Sequence, residues 1–310
     1  MKAVRLDEYC AVPNIKLQYL IHKLIPKPGR VMIVGPPKVG KSRLALQIAM
    51  AIGRGESFLG RKAMKGKVLY LEFDTPGEVW QDAVREMQEC GVDLSGEVYF
   101  NDPSTWAGQR NIFDPADRTE LVELIEQVNP DVVIVDALRK LFPGDENDSN
   151  LKMKVWQHLN NMTVGQGRSL IAVHHAHKLN PELDRPEPSQ AGRGSSFDAG
   201  EVEATLFLWR GLLTCDSRLE EAWAYRTSMN KETGLLEFPQ VIELHEQIAP
   251  LLDMCAAAYP IDEHLTIYLD QREAIHHCRS TYTRLMRYAG CPHHIPVHTR
   301  SYETAPLLVQ

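Results

Sequence analysis

The sequence predicts an α/β fold with a mostly parallel central sheet flanked by helices and an antiparallel C-terminal extension. Three observations carry this. A complete phosphate-loop motif, G-x-x-x-x-G-K-[ST], occupies Gly35-Pro36-Pro37-Lys38-Val39-Gly40-Lys41-Ser42. Between residues 30 and 173, short apolar runs without polar alternation take turns with amphipathic stretches of helical period. Strands of that kind are buried on both faces of a parallel sheet. From residue 204 onward, strand-length runs are joined by polar turns, as in antiparallel strands.

In chain order, residues 1–29 form an N-terminal lead-in segment. Its apolar residues between 15 and 25 recur at helical spacing until Pro26 and Pro28 stop them. Residues 30–34 read as a buried strand, and residues 43–52 as a helix with apolar positions at i, i+3 and i+4. A second strand runs over 67–74, and Pro76 starts a helix reaching Cys90. Residues 98–100 are a short strand, and 117–127 an amphipathic helix ended by Asn129-Pro130. Residues 132–136 and 169–173 are buried strands around a helix over 151–162. Residues 179–194 hold prolines and glycines without apolar periodicity, the texture of a functional loop. Strands follow over 205–209, 222–229 and 235–244. The expected division is 30–248 as the core and 249–310 as a small helical segment with a poorly ordered tail.

Composition narrows the class. Hydrophobic residues at 44% and charged residues at 24% are ordinary for a globular protein, and the formal net charge of −7 argues against a uniformly basic nucleic-acid surface. No apolar run approaches a membrane span, and no signal-peptide core opens the chain. The 6 cysteines form no C-x-x-C pair, so the expectation is reduced thiols and a cytoplasmic setting without membrane partners.

The chemistry starts at the phosphate loop. Its glycines let backbone N–H groups curl around a phosphate at a helix N-terminus, where unpaired donors and the dipole favour an anion. The strand–loop–helix setting is the one the motif requires. Lys41 would reach the β- and γ-phosphates, and the Ser42 hydroxyl would ligate Mg²⁺. Arg43 follows directly. Residues 132–136, four apolar residues and Asp136, fit a Walker B strand whose carboxylate holds the Mg²⁺ shell. Glu72 and Asp74 lie on one face of the second strand, because strand side chains alternate. A carboxylate there polarises the attacking water, or Asp74 caps the helix near Pro76. His174-His175-Ala176-His177-Lys178 ends a third buried strand, where a histidine suits a γ-phosphate sensor better than a zinc ligand.

These pieces resemble, in this order, the RecA-type ATPases of the plasmid RepA-like hexameric helicase group, which includes phage and mobile-element proteins. The resemblance covers about residues 15–240, through Val135-Asp136-Ala137-Leu138-Arg139-Lys140-Leu141, residues 144–149, His174-His175-Ala176 with Lys178, and Arg193-Gly194-Ser195-Ser196. It implies a RecA-like P-loop fold and ATP with Mg²⁺ as cofactors. It places Asp74 at the catalytic-base position, where the family usually has Glu, with Glu72 in reserve, and His175 as the γ-phosphate sensor. It makes Arg226 the arginine finger entering a neighbouring subunit, with Lys231 beside it; the residues alone also allow solvated edge-strand charges. It further implies a homo-oligomer, a hexameric ring, acting on single-stranded DNA in replication. Alternatives are a helicase loader or recombination mediator, and an ATP-controlled DNA-binding switch.

Two regions need a reading of their own, and the second of them stays outside that resemblance. The loop over 142–149 is acidic, with Asp148 or Ser149 placed to cap the next helix. Residues 263–289 contain two helical stretches in which Arg279, Arg284 and Arg287 form either a recognition helix or a basic outer face. The nearby His276, His277, Cys278, Cys291, His293 and His294 fit a zinc site only loosely.

Overall fold

The computed structural model describes residues 3–11, 17–102, 110–144, 148–176, 200–220 and 222–238, together with three short strands beyond them. In chain order the elements are α1 (Leu6–Ala11), β1 (Gln18–Ile21), β2 (Ile25–Lys27), β3 (Arg30–Gly35), α2 (Lys41–Arg54), β4 (Val68–Glu72), α3 (Gly77–Glu89) and β5 (Val98–Phe100). Then come α4 (Pro115–Val128), β6 (Val132–Asp136), α5 (Ser149–Met162), β7 (Ser169–His175), β8 (Ala204–Trp209), β9 (Leu212–Ser217), β10 (Trp223–Arg226), β11 (Ser228–Met229) and β12 (Leu236–Glu237). The last are β13 (Ile267–Leu269), β14 (Val297–His298) and β15 (Leu307–Val309).

The chain forms two units. The first holds Met1–Ala222 and Ser228–Glu237. Its sheet runs β9-β8-β3-β7-β6-β4-β5. All these neighbours are parallel except β8 and β9. The antiparallel extension therefore begins one strand later than the sequence suggests, because β8 pairs parallel with β3. Its hairpin partner β9 was not foreseen. The turn between them carries Arg210 at φ 46° and Gly211 at φ 77°, two successive left-handed residues that match the twist of a tight hairpin.

Local chemistry accounts for the helices. Asp114 caps α4 by accepting N–H bonds from Ala116 and Asp117, with Pro115 at the first helical position. Asp148, one of two foreseen candidates, caps α5 through Asn150 and Leu151. Gly55 ends α2 in the left-handed region. The strands bury both faces as expected: every residue of β4 and β6 is buried. One apolar layer gathers Leu69, Leu71, Val133 and Val135 against Leu121, Ile125, Val155, Trp156 and Leu159.

The lead-in segment departs from expectation. Instead of a helix over 15–25, β1 and β2 form an antiparallel hairpin. Leu20, Ile21, Leu24 and Ile25 are fully buried, so tertiary burial overrides a short helical period. Lys23, at φ 58°, makes the turn. The strand foreseen over 222–229 is interrupted at Thr227. Of the one foreseen over 235–244, only Leu236–Glu237 lies among the described strands.

The second unit holds Trp223–Thr227 and Phe238–Gln310. Its strands β13, β15 and β14 pair antiparallel in that order. Residues 267–269 are thus strand where a helical stretch was expected. The proposed recognition helix, the histidine–cysteine cluster, the 179–194 loop, Lys178 and Arg193 fall outside the described residues.

Candidate nucleotide site

The C-terminal ends of β3, β4, β6 and β7 converge on one cavity of about 500 Å³. Ligands of parallel α/β sheets bind at this edge. Strand register brings the pieces together: Gly35 pairs with His175, and Glu72 pairs with Asp136.

The loop itself is built for close backbone approach. A β-carbon on Gly35 would stand 2.7 Å from the Leu208 carbonyl and 2.9 Å from a Val39 methyl. Gly40, at φ 102°, precedes the first turn of α2. That turn has no acidic residue, so nothing offsets its positive end. Lys41 is buried and donates from Nζ to the Pro36 carbonyl at 2.8 Å. The same Nζ lies 3.4 Å from His175 Nδ1. The lysine thus lies across the loop, its ammonium held by groups that a phosphate oxygen would replace.

Ser42 and Asp136 meet below it. Both line the cavity, and the Ser42 hydroxyl acts to lower the Asp136 pKa. Tyr70 donates its phenol to Asp136 Oδ2 at 2.7 Å, and the same oxygen lies 3.3 Å from the Ser42 carbonyl. Burial raises the Asp136 pKa, as does the nearby charge of Asp74, while the Tyr70 and Ser42 hydroxyls oppose that rise. A hydroxyl paired to a desolvated carboxylate is the donor set a hard dication takes, so the residues fit Mg²⁺. Burial likewise pushes the Tyr70 phenol well up.

The two acids of β4 are separated by environment. Asp74 lines the cavity, with Oδ1 3.3 Å from Lys140 Nζ and Oδ2 3.8 Å from His175 Nε2. Glu72 is only 6% exposed and does not line that cavity. Its Oε1 accepts the N–H groups of Asp74 and Thr75, both at 2.8 Å. Burial, and then the charge of Asp136, raise its pKa to about 8. Glu72 therefore shapes the turn that presents Asp74. No side-chain capping bond joins α3, whose cap is Pro76, so Asp74 is not the helix cap. Asn101, at the end of β5, brackets Glu72. It accepts the Glu72 N–H on Oδ1 at 2.7 Å and donates Nδ2–H to the Glu72 carbonyl at 3.1 Å.

Several wall residues were not foreseen. Trp80 of α3 stacks near Tyr70, and the Arg43 guanidinium sits 5.3 Å from the Trp80 ring centroid. Burial lowers the Arg43 pKa. Met229 and Val79 complete the wall. Lys140 had a legible signal, a cation four residues past the Walker B aspartate. Trp80 and Met229 had none, because only the fold brings them to the loop. Lys231 is exposed at the tip of the β11–β12 hairpin and does not line this cavity. Arg226 ends β10, exposed, in the second unit.

Comparison with known proteins agrees with this geometry. Among solved structures, the ATPase domain of G40P superposes with a TM-score of 0.54 at 13% identity, covering 76% of this chain and 96% of that one. A DnaB-like replicative helicase, solved with its interactions with primase, gives a TM-score of 0.52 at 14% identity. It covers 68% of this chain, which spans 57% of that longer protein. At these identities the likeness is one of fold, the RecA-like arrangement of sheet and phosphate loop. No described helix is long and apolar enough to cross a membrane. The AAA domain family model matches residues 2–181, more than half of the 310 residues, so this protein belongs to that family of P-loop ATPases.

Proposed function

We propose that the protein hydrolyses ATP with Mg²⁺ at interfaces between copies of itself in a ring, and couples this to movement along single-stranded DNA. The observation that carries the reading is the convergence of Lys41, Ser42, Asp136, Asp74 and His175 on one cavity. Lys41 leaves the Pro36 carbonyl to hold the β- and γ-phosphates. Ser42 and Asp136 hold the Mg²⁺, which offsets phosphate charge when bound. Asp74 takes a proton from the attacking water, and His175, placed between Lys41 and Asp74, donates to the γ-phosphate.

A cation supplied by a neighbour completes the site. Lys231 is exposed and projects from a hairpin tip, and Arg226 is exposed at a strand end, as residues serving another copy must be. The likeness to a replicative helicase and to the G40P ATPase domain favours single-stranded DNA as the partner.

The test is ATP turnover with and without single-stranded DNA, using Lys41→Ala and Arg226→Ala. DNA should stimulate turnover, and each variant alone should lose it by about 10³-fold or more. Mixing the two should restore part of it, since one lends its phosphate loop and the other its finger. Turnover indifferent to DNA and to Arg226→Ala would overturn both ring and DNA coupling.

A further inference from the structure

The β11–β12 hairpin is seated on one face of the phosphate-binding helix. Gln47 donates Nε2–H to the Leu236 carbonyl at 2.9 Å and accepts the Leu236 N–H on Oε1 at 3.0 Å. A β-carbon on Gly40 would stand 3.1 Å from the Met229 methyl and 3.2 Å from a Leu236 methyl. One on Gly234 would stand 3.9 Å from the Arg43 guanidinium. Gly40, Arg43 and Gln47 follow the i, i+3, i+7 spacing of a single helix face. The tip of the hairpin is braced by Asn230. Its Oδ1 accepts the N–H groups of Glu232 and Thr233 at 2.9 Å each, and its Nδ2 donates to Glu237 Oε1 at 2.7 Å. Lys231 sits inside that braced tip.

We infer that this hairpin is a relay between the phosphate loop and Lys231, and that Gln47 is its positioning residue. Met229 lines the nucleotide cavity and also lies beside Gly40. The Met229 and Leu236 methyls leave little room beside Gly40, so a loop that rearranges around phosphate acts on these two side chains. Apolar contact alone lets a hairpin slide. The two Gln47 bonds fix its register on α2, so that movement reaches the tip rather than dissipating. Lys231 is then presented to a neighbour's site according to the nucleotide held in its own. The inference rests on the reading above, in which Lys231 serves a neighbouring copy.

The test uses the full chain with Gln47→Met, which keeps length and removes both bonds. Gln47→Glu is the second variant; it keeps the acceptor but sets a carboxylate against the Leu236 carbonyl. Affinity for ATP should stay within about twofold while kcat falls about tenfold or more, the signature of an interaction felt only in turnover. Mixing Gln47→Met with Lys41→Ala should restore turnover in part, because the first lends an intact phosphate loop and the second a clamped hairpin. Hydrogen exchange over 228–237 should slow on adding a non-hydrolysable ATP analogue to the parent protein, and fail to slow in Gln47→Met. If Lys231→Ala loses turnover but both Gln47 variants keep it, the relay is wrong and the shared site stands. If Lys231→Ala turns over normally, the shared-site role of Lys231 falls and the relay with it. Joint loss of affinity and turnover in Gln47→Met, without rescue on mixing, means the clamp serves only its own loop, and overturns the relay.

Discussion

Replacing Glu72 with glutamine tests whether burial holds that carboxyl neutral behind the site. In the folded chain its pKa stands at about 8 against an ordinary 4.5. Between these values the unfolded chain releases the proton and the folded one keeps it. Folding therefore binds protons in this window, and stability falls as pH rises from about 4.5 to about 8, then levels. At roughly 1.4 kcal/mol per pH unit, the fall by pH 7 is about 3 kcal/mol. Glutamine keeps an oxygen for the Asp74 and Thr75 N–H groups and has no proton to lose. The assay is urea unfolding followed by tryptophan fluorescence at pH 5, 6, 7 and 8, without nucleotide or metal. The difference between parent and variant reports Glu72 together with its coupling to Asp136, whose charge helps to raise it. The Glu72→Gln protein should gain on the parent steadily from pH 5 to pH 8, by a total of about 3–4 kcal/mol. Parallel curves for the two proteins would refute a neutral Glu72.

Three further outcomes follow from the geometry. Asp74→Asn should retain ATP binding and lose turnover by about 10²–10⁴-fold, the usual worth of a general base, while Asp74→Glu keeps activity; equilibrium binding beside steady-state kinetics checks this. Tyr70→Phe removes a phenol that Asp136 accepts in a buried site, and should destabilise by about 1–3 kcal/mol in urea unfolding. Burial raises the Cys215 thiol to about 12. A variant keeping only Cys215 should therefore stay inert to a thiol reagent at pH 8 until denatured, whereas one keeping only the exposed Cys90 reacts while folded.

The sequence shows the phosphate loop and the Walker B strand because both are local: their chemistry lies in consecutive residues with one strand–loop–helix setting. The β4 acids were legible as a pair but not as separate roles. Period-two alternation puts both on one face, and only the turn after β4 buries Glu72 while exposing Asp74. The lead-in is not legible locally, because four apolar residues at helical spacing also suit a hairpin whose burial is decided by the rest of the fold. Gln47 was invisible for a different reason. A polar residue on an amphipathic helix reads as solvent-facing, and its partner Leu236 lies 189 residues away.

The bracketing of Glu72 by Asn101 has one more consequence. A side-chain amide offers the same donor and acceptor as a peptide unit, so Asn101 extends the β4 ladder one rung past the end of β5. The backbone of Glu72 is satisfied there by an imitation strand one residue long. The groups from which the Asp74 turn departs are thereby not orphaned. Gln47 repeats the device on Leu236, so two amide side chains stand in for main chain, one at β4 and one at β12.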